Sequence, residues 1–306
     1  MPDPPLPYRN LASYLRETFD RPVAKITVDA GFTCPMRDGT LDTEGCTFCA
    51  VDSFRPASLR EPPSLEQQID RARRRLRSRR PDLAFLVYFQ PHTNTHASVD
   101  VLEKTYRHAL LDDVVALSVG TRPDCVPDPV LDLLASYAPK RDVWLELGLQ
   151  SAHDETLRRI RRRHDYACFA DAVHRAMRRG LKTLAHVILG LPGEEAKHVR
   201  ETARRLASLP LDGVKIHHLY VAEGTALAEN WRRGNVKTLS VEEHADLATD
   251  FLERIPSDVV VHRLVSDPAP ELLLAPRWEV SKPEALRLIV ETFRRRGTRQ
   301  GSRAKA

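Results

Sequence analysis

Three cysteines in the run Cys34-Pro-Met-Arg-Asp-Gly-Thr-Leu-Asp-Thr-Glu-Gly-Cys46-Thr-Phe-Cys49 constrain this chain more than any other feature. They stand at a C-x11-C-x2-C spacing, just after an alternating run, Ile26 to Ala30, that reads as a strand. Thiolates are soft ligands that select zinc, copper(I) or iron–sulfur clusters. A structural zinc site takes four protein ligands, and only three cysteines gather here. A [4Fe–4S] cluster held by three cysteines keeps one iron open to a substrate or cofactor, and this is the leading reading. The alternatives are a zinc site completed by a distant histidine, or three ordinary buried thiols. The last fits poorly, because a polar loop with two glycines has little core character.

Composition narrows the setting. Of the 306 residues, 29% are charged and 42% hydrophobic, the range of an ordinary soluble protein. No apolar run approaches the ~20 residues of a membrane span. Met1-Pro-Asp-Pro-Pro lacks the basic and apolar regions of a signal peptide. Cytoplasmic residence without a membrane partner is expected. Five cysteines, three of them in one loop, suit a reducing compartment and metal binding better than a disulfide framework. The net charge of +5 is concentrated in Arg71–Arg80 with seven arginines, Arg158–Arg163 with five, and Arg294–Arg296. Such clusters can neutralise the phosphates of a nucleic acid, and they fit solvated helix faces equally well.

Strand and helix patterns then alternate. Residues 1–10 read as irregular, followed by a helix from Leu11 to Phe19 and a strand from Lys25 to Ala30. Residues 50–63 read as loop. Ser64-Leu-Glu-Gln67 is a capping box that starts a helix running to about Arg79. Further strands are expected at Leu83–Gln90, Val114–Thr121, Val143–Ser151, Lys182–Leu191 and Gly213–Ala222. Helices are expected at Ser98–Leu111, Asp128–Tyr137, Asp154–Arg162, Cys168–Arg179 (closed by Gly180) and Glu194–Ser208. This alternation predicts an α/β fold, a parallel sheet with helices outside it. Six units are too few for an eight-stranded barrel, so the expected architecture is a partial (β/α)6 TIM-type barrel. The expected organisation is an N-terminal segment (1–22), the barrel core (23–235), an α-rich C-terminal extension (236–296) and a disordered tail (297–306). The extension should hold helices Ser240–Ile255 and Ser281–Arg296 and a further strand within Val259–Val265.

Five motifs carry a family resemblance: Cys34-Pro-x-Arg-Asp-Gly39, Gly45-Cys-x-Phe-Cys49, Tyr88-Phe-Gln-x-x-Thr-Asn-Thr95, Gly120-Thr-Arg-Pro-Asp-Cys125 and Glu146-Leu-Gly-Leu-Gln-Ser-Ala-His-Asp154. In this order they resemble the YhcC/YtqA-type radical S-adenosylmethionine (SAM) proteins. The superfamily's usual cysteine spacing is C-x3-C-x2-C, and the longer first gap resembles the branch of the Elongator catalytic subunit. The resemblance implies a [4Fe–4S] cluster on Cys34, Cys46 and Cys49, SAM as cofactor, and reductive cleavage of SAM to a 5′-deoxyadenosyl radical. It also implies an electron donor such as flavodoxin or ferredoxin. Together with the arginine clusters it favours tRNA as partner and wobble-uridine side-chain modification as the reaction. A protein or small-metabolite substrate is the alternative within the enzyme class. A non-catalytic zinc- or cluster-bearing RNA-binding protein is the alternative outside it. Oligomeric state is left open.

Site residues follow from motif positions at strand ends, where parallel barrels concentrate function. Phe48, between two of the cysteines, is carried over as a cofactor contact. Gln90, Thr93 and Asn94 follow the second strand, where the superfamily binds the amino group of SAM, although the usual Gly-Gly-Glu is missing here. Arg122 follows the third strand as a group for SAM carboxylate or substrate, within what is also good turn chemistry. Cys125 beside it is either a hydrogen-atom donor or transient covalent group, or a small packed thiol. Alternation points Glu146, Gly148 and Gln150 into the barrel, where a carboxylate is costly unless paired or liganding. The resemblance implies that Gln150 contacts SAM and Arg162 binds its carboxylate. It also makes His186 and the Gly190-Leu-Pro-Gly193 turn the adenine-binding segment. Lys215, His217, His218 and Tyr220 are polar positions that could face substrate, the two adjacent histidines on opposite sides of their strand. Cys168 is expected in the core.

Overall fold

Each apolar strand run has two faces, and their difference sets the architecture. In the computed structural model, which describes residues 6–50 and 63–304, seven strands of the described residues form one parallel sheet. They are β1 (Val23–Val28), β2 (Ala84–Phe89), β3 (Val114–Thr121), β4 (Asp142–Gln150), β5 (Lys182–Leu189), β6 (Gly213–His218) and β8 (Val260–Arg263), paired in that order. A short antiparallel pair, β7 (Val221–Ala222) and β9 (Leu273–Ala275), lies beside it. The outward positions, such as Phe85, Val87 and Phe89 or Leu145, Leu147 and Leu149, pack into one large core under the covering helices. These helices include α2 (Leu65–Arg77), α3 (Val99–Arg107), α4 (Asp128–Ala135), α5 (Asp154–Arg159), α6 (Tyr166–Met177) and α7 (Ala196–Ala207).

The inward positions change character along each strand. Near the strand starts they are apolar: Leu86, Ala116, Trp144, Leu184 and Val260 form a second cluster with Tyr14 and Leu15 of α1 (Leu11–Thr18). The Tyr14 and Trp144 rings meet edge to face at 5.4 Å. Helix α1 therefore plugs the start of the half-barrel. Two residues further on, the same face carries Tyr88, Ser118, Glu146 and His186, with Lys215 on β6, so the interior turns polar toward the strand ends. Period-two geometry delivers both layers from single strands.

The expected partial barrel is present, with one more strand than six. Val260 and Val261 pair in parallel with Gly213 and Val214, so the segment read as a C-terminal extension supplies a sheet edge. Helix α8 (Ala226–Arg232) precedes that segment, which also holds α9 (Val241–Leu252) and α10 (Lys282–Arg296), packed against each other. Helix α5 ends at Arg159 rather than Arg162, because Arg161 and Arg163 adopt positive φ of 56° and 59°. The loop expected at 50–63 lies almost wholly outside the described residues, as do residues 1–5 and 305–306 of the two termini.

The C-terminal tail is ordered through residue 304, contrary to the expected disorder. Gln300 is 3% exposed. Its Nε2 donates to Pro256 O at 2.7 Å and Val259 O at 2.8 Å, and its Oε1 accepts from Arg9 N at 3.0 Å. The polar composition that suggested disorder is here spent on backbone groups left open beside β8. Q300A should cost about 2 kcal/mol, the penalty for leaving such buried groups unpaired. Urea unfolding would read this as a lower midpoint, and an unchanged midpoint would show that the tail is not held by these bonds.

Candidate active site at the strand ends

The cysteine loop is fastened to the barrel mouth largely through charge. Asp42 pairs with Arg163 at 3.0 Å, Glu44 pairs with Arg161, and Asp38 meets His96 at 3.0 Å. Thr47 N donates to Ile160 O at 3.2 Å, and Leu227 N to Thr47 O at 2.8 Å. Arg37 donates to the carbonyl of Cys49. The second arginine cluster thus holds the loop in place rather than forming a free basic face. Only tertiary pairing could reveal that use. In the first cluster, Arg73 and Arg77 converge on Asp113 at 2.6 and 2.8 Å.

Cys34, Cys46 and Cys49 line one cavity of about 600 Å³, within the usual size of a small-molecule or cofactor pocket. Phe48, Gln90, Thr93, Asn94, Arg122, Glu146, Gln150, Arg162 and His186 line it too. Gly190 and Cys125 do not. Gly190 has φ 85°, and a Cβ there would approach the Leu239 side chain at 2.8 Å, so this glycine makes room for packing rather than for a ligand in the cavity. Cys125 lies in a short 3-10 turn, Pro123–Cys125, beside Asp124. Burial and then Asp124 push its thiol up to about 12. Cys168, expected in the core, is only partly buried.

Arg162 joins the two halves of the site. Its Nη1 donates to Cys46 Sγ at 3.3 Å, its Nη2 to Gly148 O at 2.5 Å, and its Nε to His164 Nε2 at 3.1 Å. His164 can accept because burial, then Arg162 and Arg122, push its pKa down to about 3. A Cβ at Gly148 would stand 3.0 Å from both Arg162 Nη2 and Gln150 Nε2, which explains the glycine at this point of β4. Gln150 itself sits at φ 79° where β4 bulges against β5. A non-glycine residue held there is strained, and such strain clusters at ligand sites.

Asn94 and Arg122 each keep one buried polar atom without a hydrogen-bond partner among the described residues. Asn94, fully buried, donates through Nδ2 to the carbonyls of Phe89, Pro91 and Gly120, while its Oδ1 accepts nothing. Arg122, 3% exposed, donates to both Asp124 oxygens at 2.9 and 2.7 Å and to Arg162 O at 2.7 Å, which leaves Nη1 unpaired. The Asp124 pairing outweighs burial and raises the Arg122 pKa. One orphan acceptor and one orphan cationic donor suit a ligand bearing both an ammonium and a carboxylate, because unpaired buried groups are expensive.

Deeper in the same cavity, Glu146 is 1% exposed and bound on three sides. Ser118 Oγ donates to Oε1 at 2.5 Å, and Lys215 Nζ and the His186 ring engage Oε2 at 2.8 and 2.6 Å. Burial opposes its ionisation, but Lys215 and then His186 hold its carboxyl well below the ordinary range. Glu146 therefore positions its neighbours and has little left for a ligand. Lys215 also donates to Tyr88 OH at 3.0 Å. Burial lowers its pKa to about 7 despite Glu146, with Lys25 and Arg263 adding to the effect. His217 stacks on His186 at 5.7 Å, while His218 packs against Trp278 at 4.1 Å, on opposite sides of β6 as alternation predicts. Lys25 and Arg263 belong to none of the motifs in the sequence, and Tyr88 stands in one without an assigned role. Alternation along β1 was the available signal for Lys25; Arg263 carried none.

The chain matches the model of the radical SAM superfamily over residues 40–206, and that of the radical SAM C-terminal domain over 211–295. It belongs to the radical SAM superfamily. Within that superfamily it is similar to YtqA of Bacillus subtilis, at 38% identity over 98% of this chain and 96% of the relative. It is also similar to YhcC of Escherichia coli K12, at 41% identity over 86% and 85%. A tRNA uridine(34) acetyltransferase of Methanocaldococcus infernus matches at 30% identity over 50% of this chain and 29% of its own length. Among solved structures, the archaeal Methanocaldococcus infernus Elp3 has the same fold, with a TM-score of 0.68 at 20% identity. That match covers 91% of this chain and 64% of the other.

Radical SAM proteins use SAM and usually a [4Fe–4S] cluster, and the residues present fit both. Among the described residues no three His, Cys, Asp or Glu side chains converge as the ligands of a single metal ion. Cys34, Cys46 and Cys49 share one cavity wall, and cysteine thiolates are the ligands that such a cluster takes. Burial and then Cys46 raise the Cys49 thiol to about 11, so thiolates here call for nearby positive charge. No helix of the described residues is long and apolar enough to cross a membrane.

Proposed function

We propose that this chain is an enzyme that holds a [4Fe–4S] cluster on Cys34, Cys46 and Cys49 and SAM beside it, and that it modifies the side chain of a wobble uridine in tRNA. The observation that carries the reading is the Arg162 guanidinium, which donates to Cys46 while lining the cavity with Gln150 and the unpaired Arg122 Nη1. When bound, the cluster supplies one electron that splits SAM into methionine and a radical able to take hydrogen from a substrate. The protein's part is binding, orientation and exclusion of water. Arg122 and Arg162 would take the carboxylate of SAM, and Asn94 Oδ1 its ammonium. Cys125 is not part of this proposal. Lys215, which lines the same cavity with a pKa of about 7, would hold or release a proton at Nζ.

The tRNA substrate draws support from the tRNA uridine(34) acetyltransferase relative, whose shared part is half of this chain. Nucleoside mass spectrometry of total tRNA from a strain lacking the gene, beside its parent, tests it. Loss of a mature wobble-uridine derivative with build-up of its precursor is expected. An unchanged profile in a strain that makes such nucleosides would remove tRNA and leave a protein or metabolite substrate. Formation of 5′-deoxyadenosine by the anaerobic, reduced protein tests the radical chemistry separately.

A further inference from the structure

A second cavity, of about 860 Å³, opens between the two free edges of the sheet, beside α1, β1 and β8. Six basic side chains line it: Arg16, Arg21, Lys25, Arg80, Arg263 and Lys282. Asp20 is the one carboxylate in that lining. Arg80 and Lys282 have acidic partners outside it, Asp82 at 3.4 Å and Asp267 at 2.9 Å. Arg263 stands at the inner end, where it lines both this cleft and the central cavity. Its register partner on β6 is another cation, Lys215. Neither Arg263 nor Lys25 has a hydrogen-bonded or ion-paired acid among the described residues. Lys25 instead stands over the Tyr88 ring at 4.8 Å, which also carries Lys215 at 4.3 Å. Glu146, the carboxylate whose charge acts on Lys25, is already engaged by Ser118, His186 and Lys215.

Cations gathered without counter-charge repel one another. Lys25 is exposed in the cleft, where partial desolvation lowers its pKa against the pull of Glu146, and Arg263 and Lys282 add to that. An arrangement of this kind costs the empty fold and favours a bound oxyanion, with a guanidinium able to bind it through two parallel hydrogen bonds. Arg16, Arg21, Lys25 and Arg263, four cations of the lining without an ion-paired acid among the described residues, suit a polyanion better than a single carboxylate. We propose that Arg263 and Lys25 form a phosphate-binding site that seats a phosphodiester of the substrate in this cleft, so that the adjoining nucleotide passes Arg263 into the central cavity. This rests on the RNA reading above and gives it a place on the protein.

The test is binding of a six-nucleotide oligouridylate to the full chain, without SAM or reductant, over a range of salt. R263Q should weaken binding about tenfold or more, the loss of one charge-assisted contact. It should also flatten the salt dependence by about one phosphate, a slope change of ~0.7. R263K should keep most of the affinity. R263Q should melt no lower than the parent, since it removes an uncompensated cation, which separates lost binding from lost folding. Inorganic phosphate should compete with the oligonucleotide, and acetate at equal ionic strength should not. Acetate competing as well as phosphate would assign the site to carboxylates and overturn the proposal. So would wild-type affinity in R263Q, or no oligonucleotide binding at all. Because neither SAM nor reduction enters, failure here leaves 5′-deoxyadenosine formation untouched, and the converse also holds.

Discussion

C46A is expected to reduce bound iron from about four atoms per chain to less than about one after anaerobic reconstitution. Cys46 is the most enclosed of the three thiols, 7% exposed, and it lies between the backbone of Cys49 and the guanidinium of Arg162. Alanine would leave two cysteines on the cavity wall and a buried cation without its sulfur acceptor. Two thiolates are too few to retain a four-iron cluster. The fold should survive, because the loop is fastened by Asp38, Asp42, Glu44 and Thr47 rather than by sulfur. C125A is the matched control: its thiol does not line the cavity, and iron content should match the parent. Full iron in C46A, or one zinc per chain in the parent, would sink the cluster assignment.

The second large effect is on stability. E146Q keeps the shape of the side chain and removes the charge that Lys215 and His186 are built around. Breaking a buried ion pair by removing one partner costs about 3–5 kcal/mol. The lower end is expected here, because Lys215, with a pKa of about 7, can shed its proton. The pH dependence has a definite sign. Glu146 is held below the ordinary glutamate range in the folded state. Its ionisation therefore stabilises the fold above that range, and the contribution is lost as pH falls through the folded value. Above about pH 7 Lys215 loses its charge and the pair weakens from the other side. Denaturant unfolding should then show the largest gap between parent and E146Q near pH 5–7, narrowing in acid and in base. S118A, which removes one neutral donor, should cost less. Equal stability of parent and E146Q at pH 6 would mean that the buried charges contribute nothing net.

Much of the fold could be read locally. Apolar strand runs alternating with helical patterns gave a parallel sheet, Ser64 and Ser240 sit at helix starts as N-caps, and Gly180 has φ 72°. The cysteine loop and the Glu146, Gly148, Gln150 alternation also put the cavity at the right end of the barrel. Errors arose where local composition stood in for pairing. The polar composition of the tail suggests disorder, yet Gln300 closes open backbone groups beside β8. The Arg158–Arg163 cluster by composition suits an RNA face or a solvated helix face, yet Arg161, Arg162 and Arg163 are spent on Glu44, Cys46 and Asp42, more than a hundred residues away in sequence.

Sequence by itself determined which residues face inward, because period two is a property of each strand alone. What those residues meet was decided by the tertiary structure. Lys25, Tyr88, Glu146, Lys215 and Arg263 come from five different strands, and they are neighbours only because register and the curl of the sheet bring them together. Charge makes that difference matter. A lone lysine or arginine in a sequence is a solvated side chain, but Lys25, Lys215 and Arg263, grouped at adjoining strands beside a single committed carboxylate, favour an anion.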